Sequence, residues 1–417
     1  MTAKMKVLLR SPVLTRTGYG EHGRCVLRAL QTRQDLFDIY IQPLAWGQTS
    51  WTGEYTEERA WIDQAIEKTI MHAQSGGTFD VTIQVTIPNE FEKIAPINIG
   101  VTAGMETTLV SPEWIQRANT MDKVIVVSDH SKNVFTNTIY DAVDNRTQQQ
   151  VKIALTTPIA TVGYPVKIFD NLPELDLELK TDFNFLTVAQ VSPRKNVENT
   201  IQWFFEEFKD DEVGLVLKGN FAKNSLMDRV QIEHRLKELI RSGNYGDYKC
   251  KLYLLHGDMT DAEMHSLYQH PQIKALLTLA HGEGFGLPVF EAAYSGIPVI
   301  APGYSGYLDF LVDEDKNEHF YDVGFDLNKV QKEAVWENII VEESMWAYAR
   351  EQSAKEKMRL CYDDVINNNG HASNACDYAQ VLQERFKESA IYEKFVKELG
   401  LQAEAEWLED MAEIEIL

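Results

Sequence analysis

The apolar positions of this chain fall into short, nearly unbroken runs separated by amphipathic stretches. In the first part, Lys6–Arg10, Phe37–Gln42, Val81–Val85, Ile97–Thr102, Lys123–Val127 and Ile159–Val162 read as strands bounded by polar or turn residues. A second series begins at Phe183, with strands at Phe185–Ala189, Val213–Lys218, Lys251–Leu255, Ala275–Leu279 and Pro298–Ala301. Between them lie helical periodicities such as Val197–Phe208 and Leu226–Arg241, and the stretch beyond Tyr321 reads as a long helical tail. Strands alternating with helices predict an α/β chain with parallel sheets. Two such series predict two Rossmann-like, doubly wound domains facing a central cleft, with ligands at the carboxyl ends of the strands.

The boundaries follow from where the pattern lapses. Residues 1–165 form the first domain, and 166–182, acidic and Pro-containing without helical periodicity, read as a linker. Residues 183–390 form the second domain, and 391–417 a C-terminal helical tail expected to pack back on the first. A length of 417 residues suits two domains, and an apolar fraction of 44% suits two buried cores. No apolar run is long enough to span a membrane, and the opening MTAKMKVLLRSP is too short and polar for a signal peptide. Cys25, Cys250, Cys361 and Cys376 lack metal-ligand spacing and read as reduced thiols, which points to the cytoplasm. A net charge of −23 argues against a protein that coats nucleic acid nonspecifically. The acids from Glu404 to Glu415 read as a solvated helix face.

The densest candidate chemistry is His281-Gly-Glu-Gly-Phe-Gly-Leu-Pro-Val-Phe-Glu291. It lies between a buried strand and a helix, and its glycines let backbone N–H groups approach an anionic or sugar ligand at a helix N-terminus. Glu283 in the loop and Glu291 two turns into the helix can face one cleft. Ser192-Pro-Arg194-Lys195-Asn196 puts two cations after the first strand of the second series, where a pyrophosphate is expected. Lys218-Gly219-Asn220 either repeats that arrangement or simply ends its strand.

In the first domain Gly18-Tyr19-Gly20-Glu-His22-Gly23 spells G-x-G-x-x-G. The gap between the strand and Gly18, and Asp38 standing at the start of the second strand, weaken an NAD-binding reading. The alternative is a glycine loop that covers a ligand held mainly by the second domain. Glu106, in Ala103-Gly104-Met-Glu106, could act on an acceptor hydroxyl or cap the next helix; His22 could pack or react. Ser128-Asp-His-Ser131 is too compact for a triad and reads as a helix N-cap. Asp313-Glu-Asp315 reads as a solvated loop, and no cluster has metal spacing.

Together these segments resemble the retaining, nucleotide-sugar-dependent glycosyltransferases of family 4 (glycosyltransferases group 1), which have the GT-B fold. Glu283-Gly-Phe-Gly-Leu-Pro-Val-Phe-Glu291 matches the family's E-x7-E segment, and Val188 to Asn196 resembles its V-G-R-x-x-x-x-K-N segment. Leu252 to Gly257, Gly303 to Asp309, and Met105-Glu106-Thr107 with Pro112 and Trp114 add supporting matches. The resemblance implies that Glu291 binds the donor ribose and that Gly257 lies near the nucleobase. Glu283, with the N–H groups of Gly284, Phe285 and Gly286 ahead of Leu287, would hold the sugar and diphosphate. Lys195, with Arg194 or the Gly18-Tyr19-Gly20 segment, would neutralise the leaving diphosphate, so no metal or other cofactor is expected. The chain departs from the family in having Gln190 for the usual Arg, Asp309 for Glu, and Gly104-Met-Glu106 in place of a His-Asp pair.

The resemblance therefore implies transfer of a sugar, most simply from a UDP-sugar, to an acceptor hydroxyl with retention. The opening from Ser11 to Gly20 looks more like members carried by bacteriophages, for which the host cytoplasm is the location and hydroxymethylated DNA a candidate acceptor. Glycan, lipid and protein acceptors stand beside it, and the sequence leaves the oligomeric state open. The rival readings are a noncatalytic nucleotide-sugar-binding or assembly protein of the same fold, and an NAD-dependent dehydrogenase.

Overall fold

The computed structural model describes residues 4–47, 49–143, 146 and 148–401, so the acidic stretch from Glu404 lies outside the described residues. The chain divides into two units, one comprising Met1–Pro165, Trp336–Val341 and Phe386–Leu417, the other Val166–Val335 and Glu342–Arg385.

The first unit runs β1 (Met5–Ser11), α1 (Gly18–Gln31), β2 (Phe37–Pro43), α2 (Glu57–Gln74), β3 (Val81–Val85), β4 (Ile97–Thr102), α3 (Pro112–Ala118), β5 (Lys123–Val126), α4 (Asp129–Asn137), the antiparallel hairpin β6 (Tyr140–Val143) and β7 (Gln150–Ile153), and β8 (Ile159–Thr161). Its sheet is parallel throughout, in the order β2-β1-β3-β4-β5-β8. The chain leaves β1 toward β2 and returns to β3 on the other side, so the topological switch falls between β1 and β3. Trp114 and Phe135 are fully buried under one edge, where Ile339 and Ile340 from the Trp336–Val341 segment pack against the same cluster. Ser111 Oγ, which N-caps α3, also donates to the Asn338 carbonyl at 2.7 Å.

The second unit runs β9 (Phe183–Gln190), α5 (Val197–Phe208), β10 (Val213–Asn220), α6 (Leu226–Gly243), β11 (Lys251–Leu255), α7 (Asp261–Tyr268), β12 (Ile273–Leu277), α8 (Leu287–Tyr294), β13 (Val299–Pro302), α9 (Leu308–Leu311), β14 (Tyr321–Val323), β15 (Phe325–Lys329), β16 (Met345–Ala349), α10 (Glu351–Asn367) and α11 (Gly370–Arg385). Its parallel sheet has the order β11-β10-β9-β12-β13-β14, with the switch between β9 and β12. Helix α5 places Ile201, Phe204, Phe205 and Phe208 on one face, each essentially fully buried against Phe185 and its neighbours. At roughly 1.5–3 kcal/mol per large apolar side chain removed from water, this cluster is a major part of what holds the sheet. The two doubly wound parallel sheets are those expected from the alternation of the pattern.

Residues 166–182 lie in the second unit, where Ser266 Oγ donates to the Pro173 carbonyl at 2.6 Å and Lys180 N to Tyr253 Oη at 2.9 Å. The stretch beyond Tyr321, expected to be helical, first forms β14 and the antiparallel pair β15–β16. Strands of three to five residues are too short for a period-two signal to stand out beside the helical pattern that follows. The last described helix, α12 (Glu388–Leu399), packs on α1 of the first unit, and Glu398 pairs with Lys123 at 2.7 Å.

Candidate functional site

The second unit gathers its charged groups where the strand order reverses. The segment leaving β9 makes a 3-10 turn over Pro193–Lys195, and Asn196 follows in a left-handed conformation (φ 51°) before α5 begins. The segment leaving β12 runs through His281 and Gly282 to Glu283. The two are laced together: His281 N donates to the Arg194 carbonyl at 2.9 Å, Asn196 Nδ2 to the Leu279 carbonyl at 3.1 Å, and Arg194 Nη1 to the Gly282 carbonyl at 2.8 Å. Adjacent strands thus deliver both segments to one spot at the carboxyl edge of the sheet.

Glu283 sits between the cations. Its Oε2 lies 2.7 Å from Arg194 Nη1 and its Oε1 accepts from Lys195 Nζ, while only 12% of its side chain is exposed. Burial by itself would raise the Glu283 pKa; the Arg194 and Lys195 charges and hydrogen bonds outweigh it and hold the carboxyl down at about 2. The backbone is fixed as well, since Glu283 N donates to Ser305 Oγ at 2.9 Å and Gly306 N to the Glu283 carbonyl at 3.0 Å. A Cβ on Gly306 would lie 2.0 Å from the Gly284 carbonyl oxygen, so this bracket requires glycine there.

Gly286, at φ 93°, ends the loop and caps α8, with Pro288 in the helix's first turn. Phe285 faces inward and packs against Phe290 and Phe310, at ring distances of 5.2 and 5.0 Å. Leu287 opens the helix. One turn on, Glu291 Oε2 accepts from Tyr268 Oη at 2.9 Å, a phenol buried at the end of α7. His281 is buried, its Nδ1 donates to the Ala347 carbonyl (2.7 Å) and its ring stacks on Trp346 at 5.0 Å, which ties the loop to β16. Burial lowers its pKa.

The second unit's other sequence candidates make contacts of their own. Gln190 ends β9 with Nε2 donating to the Phe221 carbonyl at 2.8 Å. Lys218 and Asn220 belong to β10 itself, and Lys218 Nζ donates to the carbonyl of Gly257, which has φ 111°. Burial lowers the Lys218 pKa. Asp313 accepts from Asn317 and pairs with His319, closing a loop of its own. Tyr268 and Ser305 were not picked out from the sequence: each is joined to its acidic partner only through the fold, across 23 and 22 residues.

In the first unit, Gly18, Tyr19 and Gly20 form the first turn of α1 rather than a loop. Thr17 Oγ1 caps it by accepting from Gly20 N at 2.9 Å. Gly20 and Gly23 are packing glycines, since a Cβ at either would fall within 2.1 Å of Thr15 O or Ser11 Oγ; Gly18 has open space. Tyr19 Oη shares a 2.8 Å hydrogen bond with Thr102 Oγ1 and accepts from Ala103 N, so the turn is held against the end of β4, from which Glu106 follows. Gly104, at φ 74°, lies so close to Ser131 that a Cβ would meet its Oγ at 2.0 Å. Ser128 caps α4 as its sequence suggested. His22 is buried beside Tyr164, and burial drives its pKa down to about 3, the behaviour of a neutral packing residue. Among the described residues no group of three or more His, Cys, Asp or Glu could hold a metal ion, and no helix is long and apolar enough to cross a membrane.

Residues 173–327 match the family model described as glycosyl transferases group 1. The Escherichia coli serotype-specific mannosyltransferase WbdA is 29% identical over 149 residues, 35% of this chain and 16% of that protein. The GtfA subunit of the UDP-N-acetylglucosamine–peptide N-acetylglucosaminyltransferase of Streptococcus pneumoniae is 24% identical over 184 residues, 44% of this chain and 30% of that one. The chain thus spans well under half the length of either relative. Among solved structures, Anabaena Alr3699/HepE in complex with UDP and glucose superposes with a TM-score of 0.57 at 14% identity, covering 95% of this chain and 99% of that one. The chain accordingly has the GT-B fold, and within its second unit residues 173–327 are similar to the glycosyl transferases group 1 family.

Proposed function

We propose that this protein is a retaining glycosyltransferase that moves a sugar from a nucleoside diphosphate sugar, a UDP-sugar, to an acceptor hydroxyl without a metal. The observation that carries this reading is the Arg194–Lys195–Glu283 cluster at the switch point of the second sheet. One carboxylate against two cations leaves a net positive charge, in a partly dehydrated setting, beside the N-terminus of α8. A departing diphosphate gains negative charge on the bridging oxygen as the glycosidic bond breaks. Cations already fixed beside it stabilise that charge without reorganising, an effect that supplies several kcal/mol in comparable sites and takes the place of a metal. Glu283, held ionised, then faces the sugar carbon as it becomes oxocarbenium-like. Glu291, oriented by Tyr268, accepts hydrogen bonds from ribose hydroxyls.

Retention follows if the acceptor hydroxyl attacks from the face the diphosphate leaves, passing its proton to the phosphate oxygen. Glu106 and the first turn of α1 are the first-unit groups that would serve the acceptor, whose hydroxyl would belong to hydroxymethylated DNA, a glycan, a lipid or a protein. The UDP preference draws support from the Alr3699/HepE complex and from the donor named for the pneumococcal relative. The test is a thermal-shift screen against UDP-, GDP- and ADP-sugars, followed by chelator-treated turnover of the stabilising donor. A UDP-sugar should raise the melting temperature most, by mass action, and turnover should survive chelation. No stabilisation by any donor refutes the reading, and binding without slow donor hydrolysis would favour the noncatalytic alternative.

A further inference from the structure

The loop joining β2 to α2 carries three aromatic residues, Trp46, Trp51 and Tyr55, and neither the donor cluster nor the core accounts for two of them. Trp51 is 55% exposed and Tyr55 85% exposed. Large aromatic side chains left in water are uncommon unless something covers them in use. This pair lies at the carboxyl edge of the first sheet, where ligands of open parallel sheets bind. Trp46 packs on Tyr19 of the first α1 turn at a ring distance of 4.3 Å.

The segment that presents Trp51 is held in place. Arg16 N donates to the Ser50 carbonyl at 2.9 Å, Thr52 N to the Leu14 carbonyl at 2.9 Å, and Arg59 Nη1 to the Thr52 carbonyl at 2.6 Å. Thr15 and Trp51 form an antiparallel bridge, and Arg16 pairs with Glu54 at 2.9 Å. The indole is therefore mounted on backbone fastened to the residues immediately before Gly18. The chain next to it is rich in acids, Glu54, Glu57, Glu58 and Asp63, of which Glu54 pairs with Arg16, Asp63 with Arg59 and Glu58 with Arg28. A polyanion such as DNA needs cations free to meet its phosphates, and the described arginines Arg16, Arg28 and Arg59 are each paired with a carboxylate. Exposed aromatic faces among carboxylates suit an uncharged polyhydroxylated ligand. The apolar C–H face of a pyranose lies flat on an aromatic ring, and carboxylates accept from its hydroxyls.

We propose that Trp51 and Tyr55 bind the acceptor, and that the acceptor is a neutral saccharide. The proposal rests on the transferase reading above. Saturation-transfer NMR with neutral hexasaccharides of glucose, mannose, galactose and N-acetylglucosamine should show at least one bound to the wild type. Trp51→Ala and Tyr55→Ala should each weaken it by about tenfold, the size of one aromatic stacking contact. Trp51→Phe should recover part of the loss, and Met227→Ala, an exposed residue of the second unit, should leave it unchanged. Binding of none of the saccharides, equal binding by the alanine variants, or faster transfer to hydroxymethylated duplex DNA, a peptide or lipid vesicles than to any saccharide overturns the proposal. Donor stabilisation in the same samples separates the two readings: its presence with saccharide silence sinks only the acceptor assignment, and its absence sinks the transferase reading.

Discussion

Replacing Glu283 by Gln keeps the shape of the side chain and removes its charge, which makes it the sharpest test of the cluster. The carboxyl stands at about 2 in the folded protein against an ordinary 4.5. At about 1.4 kcal/mol per tenfold, that depression corresponds to roughly 3 kcal/mol of stability at neutral pH. Because the folded value is the lower one, the contribution is complete above about pH 5 and fades as pH falls from 4.5 toward 2. By the same relation less than half of it should remain at pH 3. Urea unfolding of wild type and Glu283→Gln from pH 7 to pH 3, followed by fluorescence to which the buried Trp203 and Trp346 of the second unit contribute, reads this directly. The gap between the two proteins should narrow as the solution is acidified. A gap that is absent at pH 7, or that stays constant down to pH 3, would show that Arg194 and Lys195 do not stabilise the ionised carboxylate as the geometry requires.

Glu291→Ala should weaken nucleotide binding by about ten- to a hundredfold, the worth of hydrogen bonds to a charged acceptor, as measured by calorimetry. Tyr268→Phe, which removes only the orienting phenol, should cost less. In contrast, Glu283→Ala should depress transfer more than nucleotide affinity, and equal binding and turnover in the Glu283 and Glu291 variants would sink both assignments. In the first unit, Gly104→Ala should destabilise by about 2–3 kcal/mol, from positive φ and collision with Ser131, lowering Tm by about 5–10 °C. Gly18→Ala, with open space around it, should be close to neutral; equal melting of the two variants would contradict the packing described.

The sheets were legible because parallel strands are covered on both faces and so stand out as apolar runs. β3, β4 and β11 begin and end where the runs do, as does α5 with its period of buried Phe residues. β15 and β16, which form a two-stranded sheet of their own, were hidden for two reasons: most of Phe325–Lys329 is exposed, so its pattern carries no strong contrast, and Met345–Ala349 is too short to show alternation. At the site, the residues with unusual local composition, Glu283 in its glycine run and the adjacent Arg194 and Lys195, announced themselves. Those whose importance comes from a distant partner did not. Nothing around Tyr268 marks it until α7 and α8 are side by side, and the G-x-G-x-x-G string gave no sign that two of its glycines serve helix-to-strand contact.

Neither unit is a continuous piece of sequence. The first is assembled from three segments and the second from two, and α12, at the far end of the chain, covers the face of α1 formed by Cys25, Val26 and Ala29 with Ile391, Tyr392 and Phe395. A gene cut at the apparent domain boundary after Pro165 would therefore yield a first half with that face bare. Conversely, a nonsense mutation just ahead of α12 would injure the unit formed mainly by residues 1–165. Shuffling of halves between relatives, whether by recombination or in the laboratory, has to carry the last helix together with the first domain.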